Sequence, residues 1–189
     1  MHARLREATR AQHEALERRS NVLGRIAAPE ARRALVQGFH RLHASLEPGL
    51  ARWLEPVDGL DFAGRRRAPR LDQDLRALGG RSMPDADAPA PASRAEALGW
   101  LYVLEGSTLG GRVIRKQVTA GGGDMAGLGF LDPYGAEQGE RWRGFLAVVE
   151  REARTDADVD AMVAGARAAF RYAEACLAEN GAVGSAADV

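Results

Sequence analysis

Trp100-Leu101-Tyr102-Val103-Leu104-Glu105-Gly106-Ser107-Thr108-Leu109-Gly110-Gly111-Arg112-Val113-Ile114-Arg115-Lys116-Gln117 reads as a helix with three glycines in its middle. Each glycine in a helix interior costs about 1 kcal/mol relative to alanine, roughly 3 kcal/mol for the set. A chain that accepts this loss gains room where a side chain would obstruct something. Gly106 and Gly110 share one helix face, with Gly111 and Ser107 beside it. That face is nearly bare backbone, on which either a second helix or a planar ligand can lie.

The sequence on either side has the same helical grain. Upstream, Ser93 and Glu96 have capping-box spacing and open the glycine-interrupted helix, which is expected to end near Thr119. Downstream come Gly121-Gly122-Gly123, then Gly127 and Gly129, a loop that can be mobile or can approach a ligand closely. A helix over 135–153 follows, with Trp142, Phe145, Leu146 and Val149 inward. Thr155-Asp156-Ala157-Asp158 is a second capping box, opening a last helix that carries Val159, Met162, Val163, Ala166, Phe170 and Cys176. Asn180-Gly181 closes it and leaves 182–189 as a disordered tail.

Toward the N-terminus, a first helix spans 3–19 and a second begins at Pro29, with Leu35, Val36, Phe39, Leu42, His43 and Leu46 at helical spacing. Pro48 interrupts that second helix. Residues 56–68 read as a loop, with Arg65-Arg66-Arg67 solvated on it. Pro69 opens a short helix that Gly79-Gly80 stops, and 81–92, with Pro84, Pro89 and Pro91, is a connector. No stretch alternates with period two, so the reading is all-α, one domain over 1–181.

The 189 residues are 46% hydrophobic and 28% charged, a globular balance, with Lys plus Arg equal to Asp plus Glu. Neutrality argues against a nucleic-acid partner, which leaves a basic footprint. The single Cys176 excludes an internal disulfide and suits a reducing compartment. No leader opens the chain and no apolar run reaches membrane-spanning length, so a soluble, cytoplasmic protein without a membrane partner is expected.

On the first helix, the 100° step gathers Arg6, Thr9, His13, Leu16 and Glu17 on one side. Glu17 lies one turn beyond His13, where its carboxylate can accept from the imidazole, an arrangement that fixes the tautomer of a metal-ligating histidine. Arg6 lies about 10 Å along the axis at 1.5 Å per residue, a span that suits a flat ligand with a central metal and an anionic edge. Alone, the spacing is equally that of a surface or structural histidine. His40 and His43 on the second helix lack carboxylates at helical spacing and read as core or surface residues. No paired Glu-x-x-His set suggests a di-iron bundle.

Taken together, Leu5-Arg6-Glu7-Ala8-Thr9-Arg10-Ala11-Gln12-His13-Glu14-Ala15-Leu16-Glu17 and Leu104-Glu105-Gly106-Ser107-Thr108-Leu109-Gly110-Gly111-Arg112-Val113 resemble the haem oxygenase family. The second wording is similar to bacterial members, including those associated with bacteriophytochromes. The resemblance runs from Leu5 to about Glu179 and implies a helical bundle with haem b between a proximal first helix and a glycine-kinked distal helix. It implies oxidative opening of haem, both cofactor and substrate, to biliverdin with release of carbon monoxide and ferrous iron. A ferredoxin or reductase would supply electrons, and a bacteriophytochrome could accept the product.

By the same resemblance, His13 matches the axial iron ligand, Glu17 its hydrogen-bond partner, and Arg6 a residue that pairs with a propionate. Thr9 falls within the proximal motif and is assigned to the cofactor site with them. Gly106, Gly110 and Gly111 match the distal glycines over the haem face, and Ser107 and Thr108 would hold water there. Arg143 matches a propionate-facing lysine and Phe170 an aromatic near the haem edge. Two positions depart from the family. Animal members carry aspartate directly after the first distal glycine, where this chain has Ser107, and a second propionate arginine is replaced by Ala147. The neutral Ser107 makes a haem carrier or sensor without ring-opening activity the alternative.

Overall fold

This computed structural model describes residues 1–81 and 84–178; the expected helix stop at Asn180-Gly181 and the tail lie outside them. Among the described residues the regular structure is helical: α1 (His2–Ser20), α2 (Val22–Ala27), α3 (Pro29–Leu54), α4 (Ala68–Ala77), α5 (Arg94–Ala120), α6 (Gln138–Glu152) and α7 (Asp156–Leu177), with short 3₁₀ turns at Ala63–Arg65, Gly129–Leu131 and Gly135–Glu137. One apolar core joins all seven helices, and its largest fully buried side chains include Trp100, Phe145, Leu5, Leu35 and Met162.

The expected starts of α5 and α7 hold. Ser93 accepts from the Glu96 amide, and Thr155 and Asp158 form a reciprocal capping box. Between the expected first helix and the one at Pro29, where the sequence reading assigns no element, the short α2 intervenes. The chain turns into it at Asn21, whose φ of 39° is left-handed and tolerable for asparagine. Ile26 and Arg25 bury it, and Arg25 Nη1 donates to the Leu177 carbonyl at 2.8 Å.

Pro48 does not interrupt α3. It sits on the exposed side of the helix. Leu46, Leu50 and Leu54 are buried beneath it. Burying a leucine is worth about 1.5–3 kcal/mol, so three of them outweigh a proline cost of about 3 kcal/mol.

α7 is the spine of the bundle. Along it, α1 runs in the same sense: Arg4 pairs with Asp160, Arg167 Nε donates to the Ala8 carbonyl, His13 meets Phe170, and Arg19 pairs with Glu174. α5 crosses α7 where both backbones are bare. A Cβ on Gly99 would strike the Met162 carbonyl, and one on Gly165 the Glu96 carbonyl. Further on, Gly111 packs under the Leu131 backbone, Phe130 stacks on Phe39 at 4.9 Å, and neighbouring Gly38 packs on the Cys176 carbonyl. α5 therefore also runs with α7, from Met162 toward Cys176.

Candidate functional site

The glycines of α5 separate into two kinds. Gly99 and Gly111 allow close backbone approach, to α7 and to the Gly129–Leu131 turn. Gly106 and Gly110 face open space: a Cβ on Gly106 would meet only Trp142 Cη2 at 4.0 Å, and one on Gly110 nothing within 4 Å. The helix stays hydrogen-bonded through all of them. Gly111 is therefore a packing residue, not part of the bare face, because its 100° offset from Gly110 turns it into the core. Leu109 and Val113 flank the bare stripe and are 37% and 55% exposed, large apolar side chains in need of a cover.

His13 and the glycine stripe sit on two helices that share α7 as their support: α5 crosses it between Met162 and Ala166, and Phe170 lies further along it. The His13 and Phe170 rings meet edge-on with centroids 6.0 Å apart. α1 and α5 both lean on α7 but scarcely on each other, which leaves a trough between them. Glu17 Oε2 lies 3.5 Å from His13 Nδ1, so Nε2 is the ring nitrogen left for another partner. Thr9 is buried with its hydroxyl on the Leu5 carbonyl at 2.8 Å; it seats α1 and has no donor to spare.

At one end of the trough, the His2 ring lies 6.0 Å from Tyr102 and 5.9 Å from Trp142. Tyr102 has its hydroxyl pKa raised by burial, with the nearby Arg6 charge pulling the other way, which places Arg6 at this end. Arg6 and Arg143 are exposed and make no ion pair, whereas the neighbouring Arg4, Arg10 and Arg141 are all paired with carboxylates. The Ser107 hydroxyl donates to the Leu104 carbonyl at 2.7 Å at the exposed edge of the stripe. Thr108 turns the other way: it is buried, donates to the Glu105 carbonyl at 2.6 Å and accepts from Gln138 Nε2 at 2.8 Å. Thr108 does not reach the trough.

Behind α5 lies a buried polar cluster that the sequence reading missed. Arg65 and Arg67, expected in solvent, are 5% and 6% exposed; only Arg66 is outside, paired with Glu55. Glu105 accepts from Arg65 Nη1 at 2.7 Å, Tyr134 Oη at 2.7 Å and Arg67 Nη2 at 3.4 Å. Burial and the Glu105 charge push the Tyr134 hydroxyl up to about 12, so it remains a donor. His43 also has a carboxylate at helical spacing after all: its Nδ1 lies 3.0 Å from Glu47 Oε1, with both side chains buried. Glu47 further accepts from the Arg67 amide at 2.6 Å and caps the start of α4. The four-residue spacing of His43 and Glu47 was readable; the arginine partners, some 40 positions away, were not.

The glycine-dense loop is strapped down, since Arg32 reaches the Ile26 carbonyl, Asp124 and the Ala126 carbonyl. A cleft of about 290 Å³ lined by Trp53, Arg94, Glu152, Arg154 and Asp158 opens at the start of α5, away from His13, and its charges cancel among themselves. Among the described residues no group of three or more His, Cys, Asp or Glu side chains could hold a metal ion, and no helix is long and apolar enough to cross a membrane.

Against known proteins, residues 1–179 match the family described as Heme oxygenase. A heme oxygenase of Xanthomonas campestris pv. campestris (strain 8004) is 40% identical over 146 residues, covering 76% of this chain and 87% of that protein. The fold is similar to that of the NO- and CO-bound heme oxygenase from Neisseria meningitidis, with a TM-score of 0.75 and 23% identity over 93% of this chain and 88% of that one. It is also similar to heme oxygenase from Leptospira interrogans, with a TM-score of 0.71 and 17% identity over 92% and 96% of the two chains. With a family match over nearly its whole length, this chain is a member of the haem oxygenase family.

Proposed function

We infer that the chain carries out the family's oxygen-dependent opening of haem to biliverdin, with release of carbon monoxide and ferrous iron, in the trough between α1 and α5. The observation that supports this reading is an exposed His13 on α1 and an open glycine face at Gly106 and Gly110 on α5, two helices that both pack on α7. The residues present suit a flat amphiphilic guest: uncovered Leu109 and Val113 for its apolar face, unpaired Arg6 and Arg143 for its acidic edge. Haem, when bound, supplies the iron at which oxygen is reduced.

The protein's contribution is positional. His13 would hold the group through Nε2, with Glu17 at Nδ1 keeping the imidazole in one tautomer and orientation. Phe170 limits rotation of that ring from the side. Arg6 and Arg143 would pair with the substrate carboxylates and orient it. The bare backbone at Gly106 and Gly110 would let the group lie close to the main chain of α5. Ser107, released from the Leu104 carbonyl, would hold a water beside that face as a proton donor.

Electrons come from outside, from a ferredoxin or reductase, and the biliverdin goes to an acceptor such as a bacteriophytochrome. The lone Cys176, buried and unpaired, suits the cytoplasm. Titration with hemin, then addition of reductant and oxygen, tests the reading. A sharp one-to-one Soret band followed by biliverdin absorbance is expected. A Soret band that persists without biliverdin would instead identify a haem carrier.

A further inference from the structure

α5 has a mechanical problem. On the trough side, Gly106 and Gly110 present no side chain, and apart from Trp142 beside Gly106 little there resists a sideways drift of the helix. Its position must be fixed from behind. Glu105, the residue before Gly106, is 2% exposed and points away from the trough into the buried cluster.

Each partner of Glu105 is itself held. Arg65 Nε donates to the Leu60 carbonyl at 2.6 Å and Nη2 to the Arg141 carbonyl at 3.1 Å, while its guanidinium lies 5.7 Å from the Phe145 ring centre. Arg67 is fixed by its amide on Glu47 and by its guanidinium 4.2 Å over the Tyr134 ring. A single carboxylate thus ties α5 to the 60–67 segment, to Tyr134 and, through Arg65, to α6. Separating such a pair would strand buried charge on both sides, so the helix has one well-defined seat.

We propose that Glu105 is a positioning residue that fixes the gap between the glycine face of α5 and His13, and thereby the size of the axial ligand admitted opposite His13. The proposal rests on the haem-binding reading above. Glu105 touches neither the substrate nor reacting atoms; it acts through the backbone of Gly106, its chain neighbour, and of Gly110 just over a turn beyond.

The test uses hemin complexes of the unmodified protein, Glu105→Gln, Glu105→Asp and Arg65→Lys, titrated with cyanide and with imidazole and followed at the Soret band. Loss of one charge-assisted hydrogen bond is worth about tenfold in an equilibrium. The imidazole-to-cyanide affinity ratio is therefore expected to rise about tenfold in Glu105→Gln and Arg65→Lys, with cyanide affinity itself changed by less than about twofold. Glu105→Asp, which keeps the charge, should recover part of the unmodified ratio. A ratio unchanged in a folded variant that still shows the Soret band overturns the proposal alone. Failure of the unmodified protein to form that band overturns the haem-binding reading and the proposal with it. If Glu105→Gln does not fold, Arg65→Lys, which keeps the buried charge while losing the fork, decides the question.

Discussion

His13 and His43 each have a glutamate one helical turn on, and the two pairs live in opposite surroundings. His13 and Glu17 are 59% and 69% exposed and 3.5 Å apart, so their mutual attraction is screened and contributes little to stability. His43 and Glu47 are 5% and 7% exposed and 3.0 Å apart, and Glu47 also anchors the amides that begin α4. One spacing thus serves two purposes. At the surface it leaves an imidazole open to a ligand, the role proposed for it; in the core it joins two helices.

The sharpest way to break this contrast is to remove one member of each pair. His13→Ala should abolish haem turnover and the histidine-ligated Soret spectrum while moving unfolding stability by no more than about 0.5 kcal/mol. An unchanged hemin spectrum would end the assignment of His13. On the buried side, Glu47→Ala should cost about 3–5 kcal/mol, measured by urea denaturation, because it strands two amides and a histidine away from water. Glu17→Ala should cost almost nothing on the same scale.

The glycines extend the comparison. Gly99→Ala drives a methyl into the Met162 carbonyl and should destabilise by about 1–3 kcal/mol. Gly110→Ala meets open space in the ligand-free protein, so it should raise stability by about 0.5–1 kcal/mol while weakening hemin binding. Thermal scans with and without hemin check both signs. Loss of stability in Gly110→Ala without ligand would mean that the face is filled.

A pH-dependent effect concerns His40, a neighbour of His43. Burial lowers its pKa from the ordinary 6.5, with the His43 ring adding to that and the Asp72 and Glu47 charges opposing it. The unfolded chain then binds a proton at higher pH than the native one, so stability rises with pH across the interval between the two values. Acidification from 6.5 toward the lower native value should erode it by at most about 1.4 kcal/mol per pH unit. His40→Gln should flatten that slope in urea titrations across the acid range. An unaltered slope would place the titration elsewhere.

Much of the fold was legible because it is local. Helical periodicity and the Ser93 and Thr155 caps are written within a few residues of where they act. What escaped is relational. Gly110 and Gly111 are adjacent and chemically identical, and only the Leu131 backbone on one of them tells packing from platform. Arg65 and Arg67 look solvated until Glu105 and Tyr134 are folded against them. Thr108 sits inside the distal motif, yet its place on the helix wheel turns it toward Gln138. At the candidate site, the sequence offered His13, Glu17, Gly106 and Gly110 by resemblance, and the buried Glu105 cluster behind α5 lay beyond its reach.

α1 leans on α7 along its length: Leu5 is sunk in the core, Arg167 bonds the Ala8 carbonyl, and the His13 and Phe170 rings meet edge-on. Ion pairs flank them, Arg4 with Asp160 and Arg19 with Glu174. The segment carrying His13 is therefore anchored before any ligand arrives, with its outer side in water. A ligand reaching that imidazole would meet a helix already seated, so binding should not need α1 to fold first.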